Sequence, residues 1–256
     1  MPDGLPDLMK CRCKFSRANQ IVSLPDDLKP RCFSKLAKSE LDAVLSVARH
    51  RQFRTSSVII NQEDRSERCF LLTSGHARQF VITDRGQKVL LNWLSPGQIF
   101  GGAALLSTPW RYLASTEALS DCCTVVWDRQ PLRELASTYP ALLDNAFSIA
   151  VTENIAWLIA ACVSLSSDDA RGRVAHLLMS LSSAIGRPTR DGIQIKVMNK
   201  DLAEGANVTQ FTVSRCLKGW QRAGILAKRR GMILLRKPEL LLASSSSSEP
   251  LLEFVA

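Results

Sequence analysis

The stretch that decides the fold runs from Asn199 to Leu226 and reads NKDLAEGANVTQFTVSRCLKGWQRAGIL. Leu202 and Ala203 belong to a first short helix that Asn199 can cap. Ala206-Asn207-Val208 is the turn, and asparagine tolerates the left-handed backbone that such turns often need. Thr209 can cap a second helix, because its hydroxyl accepts a backbone N–H left over at a helix start. Val213, Cys216, Leu217 and Trp220 recur at helical spacing and form an inner face. Gln210, Phe211, Ser214, Arg215 and Lys218 are left outside. Two short helices and a tight turn, the second helix studded with donors, predict a helix-turn-helix.

Working outward, Ile225–Lys228 and Met232–Leu235 read as two strands around Arg229-Arg230-Gly231. This basic hairpin predicts a wing placed to touch a phosphate backbone. A helix of this kind fits the major groove of double-stranded DNA, where Arg and Gln can read base edges. Gln210, Phe211, Ser214 and Arg215 are therefore the candidate base readers. Asn199, Lys200, Thr209, Thr212, Lys218 and Arg229 are the candidate phosphate contacts. The competing reading, an ordinary helical hairpin inside a core, does not explain why motif, wing and charge coincide.

That charge is concentrated. The chain has 256 residues with 33 Lys or Arg against 24 Asp or Glu, a net charge of +9. Residues 168–240 hold 14 basic and six acidic side chains, so almost the whole excess sits there. A block so basic suits a polyanion. Hydrophobic residues make up 46% of the chain, enough to pack a core, and the length suits two modest domains. The longest uninterrupted apolar run near the middle, Ile155–Val163, is under half a bilayer span, which argues against a transmembrane helix. The N-terminus lacks an apolar signal core, so secretion is not expected. The eight cysteines should then be mostly reduced thiols in a cytosol. His50, His76 and His176 share no close spacing, which argues against a multi-histidine metal centre.

Residues 53–127 read as short strands. Turn signals recur at Ser74-Gly75, Asp84-Arg85-Gly86 and Pro96-Gly97. Between and around them lie Val58-Ile59-Ile60, Cys69–Leu72, Phe80–Ile82, Val89–Leu94 and Thr124–Trp127. Even spacing of this kind predicts a small antiparallel barrel or sandwich. Leu132–Tyr139 reads as a short helix. Pro140–Leu165 reads as a long one, with a seam at Leu142, Ala146, Ile149, Glu153, Ala156, Ala160 and Val163. Ile155, Leu158, Ile159, Cys162 and Leu165 cover its opposite side. A helix apolar nearly all round must be buried on several faces, so one face is expected on the barrel and another on a second copy. Ser164–Asp169 breaks the pattern and forms the joint. Asp168 or Asp169 would cap a new helix near Ala170, with Val174, Leu177, Leu178 and Leu181 at helical spacing. Pro188 and Gly192 end it, and Ile193, Ile195 and Val197 alternate as a strand. Five serines at 244–248 mark a tail expected to be disordered.

Taken together in order and spacing, these fragments resemble the Crp–Fnr bacterial transcription regulators, relatives of the cyclic-AMP receptor protein. In the front half the resemblance rests on Ile59–Asp64, Phe70–Gly75, the Gly86 turn, the run Leu94-Ser95-Pro96-Gly97-Gln98-Ile99-Phe100-Gly101, and Ala114–Val126. In the back half it rests on Gly172-Arg173-Val174-Ala175, Asp201-Leu202-Ala203 and Thr212-Val213-Ser214-Arg215. The resemblance implies an α+β fold: an antiparallel, jelly-roll-like β-roll effector domain, a long dimerisation helix and a C-terminal winged helix-turn-helix. The expected division is an N-terminal extension at 1–35, the roll at 36–140, the dimerisation helix at 141–165, the DNA-binding domain at 168–242 and the tail at 243–256. It also implies a homodimer on palindromic DNA, with an effector signal that repositions the recognition helices. The expected partners are double-stranded DNA, a second copy and RNA polymerase, in the cytoplasm and away from membranes.

Departures from the family pattern bear on the effector. Cyclic-nucleotide binders of this family carry Gly-Glu for the ribose and Arg-Ser for the phosphate. Here the first pair reads Gly101-Gly102, and the gapless match to the second is Tyr112-Leu113, with Arg111 fitting only after a one-residue shift. Gly101, Gly102, Arg111 and Tyr112 thus mark the candidate effector pocket. A buried cyclic phosphate without its partners would lack compensation for its lost hydration. Ile159 and Ala160 stand where the cyclic-AMP receptor has hydroxyls for the base. Cyclic AMP in the usual manner is therefore not expected. Oxygen-sensing relatives hold an iron–sulfur cluster on tightly spaced N-terminal cysteines. Cys11, Cys13 and Cys32 do not match that spacing, so buried, inert thiols, among them Cys69, Cys122 and Cys123, are expected ahead of an iron–sulfur cluster or a redox thiol switch. No cofactor, metal or catalytic residue is expected. The rival readings are a cupin-like metalloenzyme, which needs paired histidines where the strand region 53–127 has only His76, and a small-molecule-binding signalling module without DNA readout. Phe211 stands where relatives reading the common half-site have Glu, so an altered half-site is expected. Phe211 can touch a thymine methyl but cannot accept from cytosine.

Overall fold

A computed structural model describes residues 22–229 and 231–243. Cys11, Cys13, Arg230 and the serine run 244–248 lie outside the described residues. The chain divides into two compact units, residues 1–79 with 94–149 and residues 80–93 with 150–256.

The roll carries eight strands: β1 (Arg49–Phe53), β2 (Val58–Ile60), β3 (Arg68–Ser74), β4 (Ala77–Ile82), β5 (Lys88–Leu94), β6 (Ile99–Phe100), β7 (Ser115–Ala118) and β8 (Cys122–Asp128). They form two four-stranded sheets, ordered β1-β8-β3-β6 and β2-β7-β4-β5. The central pair β3 and β8 is antiparallel, with Phe70 opposite Val126 and Leu71 opposite Val125. Phe70, Leu72, Cys122 and Val126 face an inner core with Ile60, Leu94, Phe100, Tyr112 and Ala118. Cys69, Leu71, Val125 and Trp127 face the other way, onto Val44 and Leu45 of helix α1 (Lys38–Ser46) and Leu132 and Ala136 of α2 (Arg129–Thr138). Both faces of these strands are buried, which is why Cys69–Leu72 and Thr124–Trp127 are continuous apolar runs without alternation. The Trp127 indole N–H donates to the Val44 carbonyl at 2.8 Å. The expected turns are present. At Gly75 (φ +81°) a Cβ would lie 2.3 Å from the Asp121 carbonyl, so only glycine fits there.

Three strands escaped the apolar pattern. β1 is Arg-His-Arg-Gln-Phe, an edge strand that pairs only with β8 and faces water. β6 has two residues and β7 four, too short to show a period. The segment expected as an extension also reaches the core: Val22 and Cys32 are buried, and the Asn145 amide donates to the carbonyls of Cys32 (3.1 Å) and Ser34 (2.7 Å).

The long helix is continuous from Ala141 to Ser167, 27 residues. Its first part, α3 (Ala141–Ile149), and last part, α4 (Ala156–Ser167), are joined by a π-helical segment at Ala150–Ile155. This corrects the proposed seam. Leu142 and Ile149 are buried in the roll's outer core and Ala146 packs against it, so the first turns of that seam face inward within the same chain. A π segment shifts the angular phase of every later residue, so one heptad cannot run through it. The stripe left exposed is Leu143, Phe147, Val151, Ile155, Leu158, Ile159, Val163 and Leu165. By length and composition the helix is apolar enough to cross a membrane, a property that an uninterrupted-run criterion misses because single polar residues such as Glu153 break the run.

The C-terminal part opens with α5 (Ala170–Ile185), capped by Asp169, whose carboxylate accepts the Gly172 N–H at 2.6 Å. The helix ends at Ile185. Pro188 is not its stop but lies in the edge strand β9 (Arg187–Thr189), paired with β10 (Gly192–Ile195); β10 closes before Val197. Then follow α6 (Asn199–Gly205), α7 (Gln210–Arg222), β11 (Leu226–Arg229), β12 (Met232–Leu235) and α8 (Glu239–Ala243), with sheet order β11-β12-β10-β9.

Candidate nucleic-acid interface

Leu202, Val213, Leu217 and Trp220 are buried with Leu178 and Leu181 of α5 and Ile233 and Leu235 of the hairpin. Trp220 has no exposed surface, and the Arg171 guanidinium lies 5.2 Å from its ring centre. α6 starts at Asn199 with Met198 as its cap residue, and Asp201 accepts the Met198 N–H at 3.3 Å. Asn199 is thus the first helical residue and not the cap. Asn207 is left-handed (φ 49°), as the turn requires, and Val208 N–H donates to the Ala203 carbonyl at 3.0 Å. Arg173 pins this turn to the joint: Nε donates to the Ala206 carbonyl (3.0 Å) and Nη1 to the Asp168 carbonyl (2.9 Å). The Asp168 carboxylate also accepts from Ser164 Oγ (2.5 Å) and lies 3.4 Å from His176 Nε2.

Thr209 caps α7 by accepting the Thr212 N–H at 3.1 Å, and the two threonine hydroxyls are 3.0 Å apart. Val213, Cys216, Leu217 and Trp220 form the buried face. Gln210, Phe211, Arg215 and Lys218 are exposed, with Phe211 at 76%. An aromatic ring left that open has no role in the chain's own packing. The side chains of Gln210, Arg215, Lys218 and Arg229 make no hydrogen bond or ion pair among the described residues. Ser214 is half-buried and accepts from the Asn199 amide. Lys200 reaches Glu204 only at 3.8 Å. Sequence reasoning missed Lys228. It donates to Asn199 Oδ1 at 2.8 Å, and burial, then the charge of Lys218, holds its ammonium below the usual lysine range. Together with Ser214, Leu217, Lys218, Gln221 and Arg229 it lines a cleft of about 290 Å³ between α7 and β11.

Of the four effector-pocket candidates, Gly101 and Tyr112 meet at the Arg68 carbonyl, while Gly102 and Arg111 are exposed. Gly101 is left-handed (φ +74°), and a Cβ there would lie 2.9 Å from the Arg68 carbonyl. Tyr112, 8% exposed, fills the roll interior beside the stacked Phe70 and Phe100 rings, whose centres are 5.1 Å apart. Its hydroxyl accepts the Arg68 N–H (2.9 Å) and donates to the Arg68 carbonyl (2.7 Å), and burial raises its pKa. Gly102 and Arg111 are exposed, and the Arg111 guanidinium is held on the Glu63 carbonyl at 2.6 Å. Burial pushes the thiols of Cys69 and Cys122 up to about 12 and about 11, and raises that of Cys216.

A strand roll followed by a helix-turn-helix with a basic wing defines a two-part DNA-binding regulator. Residues 50–139 match the model of the cyclic nucleotide-binding domain, and residues 172–244 match that of the Crp-like helix-turn-helix domain. The chain belongs to the Crp–Fnr family of transcription regulators. It is 29% identical over 211 residues to the cyclic AMP receptor protein of Thermus thermophilus, covering 82% of this chain and 94% of that one. It is 25% identical to the cAMP-activated global transcriptional regulator CRP of Pasteurella multocida, covering 70% and 85%. Among solved structures, FixK2 from Bradyrhizobium japonicum matches with a TM-score of 0.69 at 20% identity, covering 79% of this chain and 100% of that one. The c-di-GMP responsive regulator CLP of Xanthomonas campestris matches at 0.68 and 17%, covering 78% and 99%.

Proposed function

We propose that this regulator is a homodimer that places two copies of α7 in successive major grooves of a palindromic site. Gln210, Phe211 and Arg215 read bases, and Lys200, Thr209, Thr212, Lys218 and Arg229 hold the backbone; Ser214, a base reader by sequence, is half-buried against Asn199. The observation that carries the reading is the outer face of α7: the side chains of Gln210, Phe211, Arg215 and Lys218 are exposed, while Val213, Cys216, Leu217 and Trp220 on the opposite face are buried. Phe211 directs the choice toward a thymine methyl, and the exposed Arg215 toward a guanine. The apolar stripe from Phe147 to Leu165, more than a third exposed at each position, supports self-association.

The signal acts at the roll and is not cyclic AMP bound in the usual manner. Gly101-Gly102 and Tyr112-Leu113 lack the carboxylate and phosphate partners, and Tyr112 occupies the interior with both hydrogen bonds of its hydroxyl satisfied. The protein works in the cytoplasm without a cofactor or catalysis; contact with RNA polymerase rests on family membership alone. Selection of bound fragments from random duplex DNA tests this reading. A two-fold symmetric site unaffected by added cyclic AMP is expected. Failure to enrich any sequence would favour a signalling module without DNA readout.

A further inference from the structure

The α7–β11 cleft contains an arrangement that the base-reading face does not use. Asn199, at the start of α6, reaches two elements at once: its amide Nδ2 donates to Ser214 Oγ on α7 (2.9 Å), and its Oδ1 accepts from Lys228 Nζ on β11 (2.8 Å). The orientation of this amide is forced, because a lysine ammonium can only donate and the atom facing it must be the oxygen. Hydrogen bonds therefore run in one direction, from Lys228 to Asn199 to Ser214. A serine hydroxyl carries one proton and two lone pairs. One lone pair is taken by Asn199, and no acceptor for the proton is recorded among the described residues. Lys228 uses one of its three N–H groups on Asn199. Both ends of the chain thus present donors, and its charged end polarises the rest.

The walls agree with this. Ser214, Leu217, Lys218 and Gln221 fall at i, i+3, i+4 and i+7, one stripe of α7. Lys228 and Arg229 come from the wing, and no acidic side chain lines the cleft. The charge of Lys218 disfavours that of Lys228. Cations beside a cleft with no acidic wall are a cost to the free protein that an anion between them removes.

We propose that this cleft is a phosphodiester site, in which a backbone oxygen sits between the Ser214 hydroxyl and the Lys228 ammonium. Asn199 is a positioning residue: it holds recognition helix and wing at one spacing and touches no DNA. The proposal rests on the reading of this lobe as DNA-binding, and the test separates the two.

Binding of full-length protein to a random duplex is measured across salt concentrations for the wild type, Lys228→Met, Asn199→Ala, their double variant and Lys196→Met. Lys196 is an exposed cation outside the cleft and controls for charge alone. Lys228→Met should lower the slope of log affinity against log salt by about 0.9 per subunit, one phosphate contact, while Lys196→Met keeps it. Asn199→Ala should weaken binding about tenfold, and the double variant should be no weaker than Lys228→Met, because both remove one site. Lys228→Arg should restore most of the slope. Steep wild-type binding with an unchanged slope in Lys228→Met, or additive losses in the double variant, would overturn the cleft and leave the DNA reading intact. A wild type whose affinity ignores salt would overturn both.

Discussion

Replacement of Arg215 by alanine isolates base reading from folding. The side chain is exposed and makes no recorded hydrogen bond or ion pair among the described residues. Removing it therefore breaks nothing in the free protein, and stability should change by less than about 0.5 kcal/mol. On DNA the same freedom means that the guanidinium gives up no internal partner when it engages a base. A bidentate contact to guanine contributes about 1–3 kcal/mol of discrimination. Two half-sites, if independent, double this to roughly 2–6 kcal/mol, at least about a 30-fold loss on the selected site. On random DNA only one positive charge per subunit is missing, so the loss should be several-fold smaller. The assay is fluorescence anisotropy at one fixed salt concentration with the selected site, a variant at the contacted base pair, and a random duplex. Arg215→Ala should bind the first two alike. Equal proportional losses on all three duplexes, or a shifted melting temperature, would refute base reading by this residue.

Ile159→Glu tests the exposed stripe; Ile159 is 57% exposed, so a carboxylate is tolerated by the single chain but not in a seam between two copies. Sedimentation should show monomers, and an intact dimer would place the contact elsewhere. The buried thiols give a pH dependence. The folded pKa values of Cys69 and Cys122 lie above the usual 9.0, at about 12 and about 11, so the folded state holds these protons more tightly. Their contribution is fully present below about pH 9 and is lost as pH rises toward those values. Denaturant midpoints should fall as pH rises from about 9 to about 11, less so in Cys69→Ala. A flat profile would mean that these thiols are solvated in the folded protein.

The helix-turn-helix was legible because its signals are local: the Thr209 cap, the Asn207 turn and the Val213–Trp220 face all lie within one short segment. The cap of α5 was equally readable. β1 was not, since an edge strand facing water carries no apolar alternation. The phase of the long helix was misjudged because the π segment at 150–155 leaves no mark in a count of threes and fours. Lys228 looked like one more cation in a basic hairpin.

Residue order alone determined the turn at Asn207 and the cap at Thr209, how the charge is concentrated after residue 168, and which face of α7 points outward. Each of these depends on neighbours within about two helical turns. Only the folded chain decided that Tyr112 fills the roll interior, that Leu142 and Ile149 turn inward, and that Asn199 joins Ser214 to Lys228. Those partners are separated by 15 and 29 residues, and no periodicity carries information across such distances. Three-dimensional packing brings them together.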